Sequence, residues 1–319
     1  MENPENLHGR APGVALRQGR AYAGRMDERE LIGRMRRALR EAWELGGGLA
    51  GIGWVCALSR HRLHAVTTHL CSAVLVLEGR KTLFRGLERM AVPAGSMFLL
   101  PAQVEVTVEN EPDPASGRYA ALCLCFEEPL LARVAAALHA GPEPGRPSGP
   151  ACSGLEDWRV PLDGPLGISL AHLADMALAC PGNGRVLDLG REALLTLVAG
   201  RCPGFPGFWA AASSWRGRCA ALVGAAPEHG WSASGLARGL GTSERTLRRG
   251  LSAEGASLNS VLRDVRLNSA LALLQSGRVS VGEAAARCGF ASASRFAVRF
   301  RERFGMRPSE VSRQSAAPG

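Results

Sequence analysis

The sequence has no cysteine pair of the CxxC kind: its nine cysteines are scattered at positions 56, 71, 123, 125, 152, 180, 202, 219 and 288. An odd number without metal-ligand spacing excludes a disulfide framework and a zinc finger as the basis of the fold. Cys123 and Cys125 alternate with Leu124, share a strand face, and read as small buried hydrophobes. Apolar runs of transmembrane length are missing too. The first residues are polar and basic and lack the apolar stretch of a signal peptide, so a reducing cytoplasm is the expected compartment, with no membrane partner. A histidine–carboxylate cluster is also lacking. His61, His64 and His69 in HRLHAVTTH have no acidic neighbour at a ligand-like spacing, and strand alternation puts two of the three intervals on opposite faces. No metal and no cofactor are expected.

What is present is ample apolar material: 319 residues, 46% hydrophobic and 21% charged, enough for two domains. The net charge is +9, and its position says more than its size. From Arg216 to Gly319 there are 16 basic against 7 acidic residues, which carries the whole excess and leaves the rest neutral. A basic domain joined to a neutral one is the electrostatic footprint of polyanion binding, because each phosphate met by an arginine releases condensed counterions. A merely solvated basic surface is the plain alternative.

Residues 1–25 read as a disordered tail outside the fold, with Met26 a candidate for the true start of the protein. From Asp27, DERELIGRMRRALREAWEL places Leu31, Met35, Leu39 and Trp43 four apart, one amphipathic helix that ends at Gly46. Between Ile52 and Phe126 the runs AVLVLEG, KTLFRGLERMAV, SMFLLP, VEVTV and YAALCLCF alternate with turn residues, which predicts antiparallel strands closing into a small barrel. Trp43, Trp54, Phe84, Phe98 and Phe126 are candidates to line a pocket inside it, or ordinary core. A Pro/Gly-rich loop follows at 141–150. Two helical stretches, 168–179 and 186–199, then suggest a hairpin and a route to a homodimer. The expected division is a sensing or dimerisation domain over 26–205, a linker over 206–215, a DNA-binding domain over 216–314 and a tail over 315–319.

An internal repeat lies in the basic segment. WSASGLARGLGTSERTLRRGL (231–251) and VSVGEAAARCGFASASRFAVRF (279–300) agree position by position. Ser232 and Ser280 are N-caps, and Glu283 completes a capping box with Ser280. Ala237 and Ala285 each precede a glycine by four, Gly241 and Gly289, so a small residue admits a second helix where the first ends. Ser243 and Ser292 start those second helices, anchored by Leu247 and Leu251 in one and by Phe296 and Phe300 in the other. Leu236, Leu240, Phe290 and Phe304 complete the predicted core. This is helix-turn-helix grammar. Between the units, 258–276 reads as one amphipathic helix of roughly 28 Å, close to the ~34 Å between successive major-groove faces of B-DNA.

Residues 216–314 resemble the DNA-binding domain of the AraC/XylS family of bacterial regulators. SERTLRRGLSAEGASLNSVLRDVRLNSALALL and VGEAAARCGFASASRFAVRFRERFGMRPSEV carry the resemblance, above all the closing run from Gly289 to Glu310. SAVLVLEGRKTLFRG and VPAGSMFLLPAQVEVTV resemble, more loosely, the cupin-like sensing domain of many family members. The resemblance implies an α+β chain with an N-terminal cupin-like β-barrel and a seven-helix, double helix-turn-helix C-terminal domain. It also implies promoter DNA as partner, RNA polymerase contact, a small-molecule effector, and activation as the commoner outcome.

On the first reading helix, Arg245, Arg248 and Arg249 are the candidates for guanine or phosphate contact, with Ser243, Glu244 and Thr246 beside them. In the family, positions matching Arg245 and Arg249 face the major groove. The second helix offers Ser292, Ser294, Arg295, Val298 and Arg299. Val298 departs from the arginine that relatives often carry there, which weakens base reading by this unit, and Arg295, Arg299 and Arg301 are candidates for phosphates. Rival readings are a cupin-type metal enzyme, a DNA-repair protein with a similar module, and a protein-binding adaptor. The first two lack a ligand cluster or an activated cysteine, so no enzyme is expected.

Overall fold

The computed structural model describes residues 30, 33, 51–139, 154–180, 183–202 and 205–315. The tail over 1–25, the loop over 141–150 and most of the helix expected from Asp27 lie outside the described residues, although Glu30 and Gly33 are helical.

Eight strands follow one another, β1 (Ile52–Ala57), β2 (His61–Val66), β3 (Cys71–Glu78), β4 (Arg80–Arg85), β5 (Glu88–Pro93), β6 (Met97–Leu100), β7 (Val106–Glu111) and β8 (Tyr119–Phe126), with a short β9 (Arg159–Val160) added later. They do not close into the expected barrel. They form two antiparallel sheets, ordered β1-β8-β3-β6-β9 and β2-β7-β4-β5. The chain changes sheet at each connection up to β8 except the β4–β5 hairpin. Alternation along each strand fixes which side chains face inward, but it does not say which strand is the neighbour, so one closed sheet and two facing ones look alike in sequence. Gly79 makes one crossing possible: its φ is +73°, and a Cβ there would collide with the Glu111 carbonyl. Leu63, Leu83 and Val108 from one sheet and Leu75, Phe98 and Leu122 from the other are buried in a common core.

Helix α1 (Glu128–His139) follows β8, and α2 (Gly164–Ala179) packs against α3 (Gly184–Ala199). Asp163 caps α2 by accepting from the Leu166 N–H, and Asn183 caps α3 from the Val186 N–H. Gly190 lets the pair approach closely, since a Cβ there would stand 2.9 Å from Leu173 Cδ1. The stretch read as a linker is instead helical as far as Ser213, forming α4 (Phe205–Ser213). Proline in a first turn is compatible with a helix start, and burial of Phe208 and Ala212 in the sheet core outweighs the breaker signal in RCPGFPGF.

Seven helices make the C-terminal part: α5 (Trp215–Ala225), α6 (Ala233–Gly239), α7 (Glu244–Ala253), α8 (Leu258–Gln275), α9 (Val281–Arg287), α10 (Ala293–Phe304) and α11 (Pro308–Ser315). Two apolar cores divide them. Leu236, Leu247, Leu251, Val261 and Val265 pack with Cys219 and Val223 as a separate cluster around the first repeat. Leu267, Leu271, Leu274, Phe296, Phe300 and Phe304, around the second, are continuous with the core of the two sheets.

Candidate nucleic-acid interface

The first unit is built by capping. The Ser232 hydroxyl accepts from the Gly235 N–H at 3.0 Å and starts α6, which ends at Gly241 with φ +64°. Ser243 then starts α7 by accepting from the Thr246 N–H at 3.1 Å. Its hydroxyl also lies 2.9 Å from Thr246 Oγ1, so both hydroxyls are engaged at the helix start. Leu247 and Leu251 are buried, and Glu244, Arg245, Arg248 and Arg249 are exposed on other faces. Arg248 lies 3.7 Å from Glu244, an i,i+4 pair. Arg245 and Arg249 have no acidic partner within ion-pair distance among the described residues. Gly250 lets α7 cross α5, because a Cβ there would run into the Trp215 ring.

The second unit repeats the scheme with different contacts. The Ser280 hydroxyl accepts from the Glu283 N–H at 3.2 Å, but the reciprocal half of the expected capping box is not made. Glu283 instead pairs with Arg287 at 2.6 Å, one turn along α9. Ser292 caps α10 by accepting from the Arg295 N–H at 3.3 Å. Phe296, Phe300 and Phe304 stack along α10 with ring centroids 5.4 and 4.6 Å apart, and Gly305 ends the helix at φ +76°. Leu240 and Phe290, expected in the core, are only half-buried and pack at its edge. Ala293, Ser294, Arg295, Val298, Arg299 and Arg301 are exposed, with Val298 at 57%.

Polar contacts fasten the second unit to the sheets. Asn268 of α8 accepts from the Thr67 N–H at 2.9 Å and donates to the Thr67 hydroxyl at 2.8 Å. Asp264, one turn earlier, is 8% exposed and takes Arg303 at 3.0 Å and Arg216 at 3.3 Å. Arg303 also reaches Glu105 at 3.6 Å, while Arg216 donates to Gln103 Oε1 at 3.1 Å. The Leu58 N–H donates to the Gln314 carbonyl at 3.0 Å, so α11 is tied down as well. Asp264 and Asn268 stand at i,i+4 on an otherwise apolar stripe; that interruption was the available sequence signal for a buried polar joint.

A cavity of about 380 Å³ lies between the sheets and α8. Trp54, Phe98, Lys81 and Cys123 line it from the sheets and Leu271 and Gln275 from α8, with Arg278 and Arg287 also on its wall. Of the aromatics considered as lining, Phe126 is instead buried core, Phe84 lies beneath the Arg62 guanidinium at 4.6 Å, and Trp43 lies outside the described residues. Lys81 is the only lysine in the chain. Its Nζ donates to Asn110 Oδ1 at 2.6 Å, and no carboxylate pairs with it among the described residues. Burial lowers its pKa to about 8. Burial likewise pushes the Cys123 thiol up to about 12 and the Tyr119 hydroxyl, which has no hydrogen-bond partner, well above its usual value. The three histidines are dispersed: His61 Nε2 lies 3.3 Å from Asn110 Nδ2, His64 faces Gly305, and His69 faces Gly224. Among the described residues no three His, Cys, Asp or Glu side chains are grouped to hold a metal ion, and no described helix is long and apolar enough to cross a membrane.

Residues 236–314 match a family model described as a helix-turn-helix domain. The chain is 38% identical over 100 residues to the urease operon transcriptional activator of Escherichia coli, a match covering 30% of this chain and 34% of that protein. It is 35% identical over 88 residues to the regulator GadX of Escherichia coli, covering 28% and 32%. The chain thus spans about a third of the length of the curated relatives it matches. Among solved structures, apo ToxT from Vibrio cholerae superposes with a TM-score of 0.58 at 14% identity, over 83% of this chain and 97% of that one. ToxT from the same organism with an unsaturated fatty acid bound gives a TM-score of 0.54 at 14% identity, over 82% and 94%. The overall fold is therefore the ToxT-like arrangement of N-terminal sheets and C-terminal helices. The chain carries, in its last third, a double helix-turn-helix domain of the AraC type.

Proposed function

We propose that the protein is a sequence-specific DNA-binding transcription regulator, an activator by the analogy of its named relative, acting on promoter duplexes in the cytoplasm. The observation that carries this is the matched pair of capped reading helices, α7 and α10, on one rod: α8 has 18 residues, roughly 27 Å at 1.5 Å per residue, near the ~34 Å of one duplex turn. Arg245 and Arg249 take base edges or phosphates in the first segment, with Arg248, Glu244, Thr246 and Ser243 at its border. Arg295 and Arg299, flanked by Ser292, Ser294 and Val298, hold the second. RNA polymerase contact, and pairing of two copies through α2 and α3 with their exposed Ile168 and Leu189, belong to the same reading. No reaction is assigned to the chain.

The cavity supports a small-molecule effector. Fatty-acid-bound ToxT shares the fold, and here an apolar cavity holds one buried amine without an anionic partner. An amphipathic carboxylic acid fits this chemistry, its tail among Trp54, Phe98 and Leu271 and its head toward Lys81. Because α8 forms part of the wall, such a ligand would touch the rod that spaces the reading helices.

Selection of duplexes from a randomised pool by the full chain tests the main reading. A recovered common motif whose preference at one position relaxes in Arg249→Ala is expected; recovery of no motif would overturn it.

A further inference from the structure

We propose that the two units divide the work: the second is a backbone clamp, whose groove between α8 and the start of α10 grips the phosphodiester strand between the two major-groove segments, and base reading falls to α7. This rests on the DNA-binding reading above and adds a site to it.

The groove, about 500 Å³, is lined by Asn259, Arg263 and Arg266 of α8, by Gly289 to Ser292, and by Arg295 and Arg299 of α10. Four arginines therefore converge on one concave surface with no carboxylate in its lining. Arg266 is a fixed part of the wall, since it donates to the carbonyls of Pro227 at 2.8 Å and His229 at 2.9 Å. Arg263, Arg295 and Arg299 are exposed or half-exposed and retain donors. Arg295 and Arg299 have no acidic partner within ion-pair distance among the described residues. The first-turn N–H groups of α10 lie at the same edge, adding the positive end of a helix to the guanidinium charges. Arg263 lies 3.5 Å from Asp264, but that one buried carboxylate also serves Arg216 and Arg303, so the groove keeps a net positive charge, which selects an extended anion. Its place beside the rod joining the two reading helices selects the strand bridging the segments they enter.

The other face of α10 supports the division. Over its first two turns, the exposed positions away from the groove are Ala293, Ser294 and Val298, none of which offers a bidentate donor pair to a base edge; Arg301 and Glu302 are exposed only toward its C-terminal end. Val298 in particular is an apolar side chain left in the open. The mechanical contrast agrees: the second unit shares its core with the sheets and is tied by Asn268 and Arg303, as a fixed jaw must be, whereas the first has a core of its own.

The test uses the full chain and duplexes it selects, titrated from 50 to 200 mM salt, with the Arg263→Gln/Arg295→Gln double variant. Each lost phosphate contact removes ~0.9 from the slope of log affinity against log salt, so across this fourfold range the double variant should lose affinity roughly 12-fold less steeply than the parent. Its affinity should fall by the same factor for every duplex, with base preference unchanged, and the selected motif should be concentrated in one half-site. An unchanged slope, an altered preference in the second half-site, or a motif of equal strength in both halves would overturn the clamp while leaving DNA binding intact. Failure of the parent to bind any duplex would instead sink the regulator reading and the clamp with it. Thermal melting of the variant, expected to stay close to the parent because both side chains are exposed and Asp264 keeps Arg216 and Arg303 when Arg263 is lost, keeps a folding defect from being read as a lost contact.

Discussion

Replacing the lone lysine of the cavity should make the protein more stable at neutral pH and less stable in alkali. Lys81 is 7% exposed, and burial lowers its pKa from 10.5 to about 8. Such a shift corresponds to ~3 kcal/mol of penalty on the folded state wherever the group is protonated in both states, that is, below pH 8. Between pH 8 and 10.5 the folded chain sheds its proton while the unfolded chain keeps it, so the penalty is relieved as pH rises. Lys81→Met removes the charge. It also forfeits the hydrogen bond to Asn110, ~1 kcal/mol, and the cation–π contact with the Tyr119 ring, whose centroid lies 5.3 Å from Nζ, ~0.5–1 kcal/mol. The net expectation is a variant more stable by ~1 kcal/mol at pH 7, in line with apolar replacement of buried charge elsewhere. At pH 9.5 about 2 kcal/mol of the penalty is gone from the parent, so the order should reverse. Urea unfolding of both proteins at the two pH values measures this directly, because the other titrating groups are common to both. A variant less stable at pH 7, or a difference independent of pH, would refute the burial of an unpaired ammonium.

Other substitutions probe the helices. Phe300→Ala, in the stack that joins α10 to the sheets, should cost ~3–5 kcal/mol in chemical denaturation and abolish duplex binding indirectly. Gly250→Ala should destabilise by ~1–3 kcal/mol, against the usual helix preference for alanine, because the new methyl meets Trp215; a gain in melting temperature would contradict that packing. Asp264→Ala removes the buried carboxylate shared by Arg216, Arg263 and Arg303 and should cost ~3 kcal/mol, with Asp264→Asn milder, as read from urea midpoints. A long-chain fatty acid should raise the melting temperature of the parent and leave Lys81→Met unmoved.

Much of the C-terminal part was legible because its signals are local. Serine before each helix, glycine after it and apolar residues four apart dictate caps, turns and buried faces within a dozen residues, and α8 ends within one residue of the expected position. Glu283 shows the limit of such reasoning: the capping box was permitted by spacing, yet Arg287 at i+4 offered the carboxylate an ion pair instead. The sheets were legible as strands but not as a topology, since pairing between β3 and β8 or β7 and β4 joins residues tens of positions apart. The groove around Arg263 was invisible for the same reason, and of the cavity only Trp54 and Phe98 were foreseen as lining, not Lys81 or α8. Each gathers residues from elements that only packing brings together, and a lysine in KTLFR looks like any solvated strand residue until the second sheet covers it.

Chemical footprinting of a selected duplex tests the double reading head most directly. With one chain bound, hydroxyl-radical cleavage of the sugar-phosphate backbone should be suppressed in two patches on the same face of the duplex, their centres ~10 base pairs apart. A single protected patch, or two at any other spacing, would mean that α8 does not hold α7 and α10 in adjacent turns.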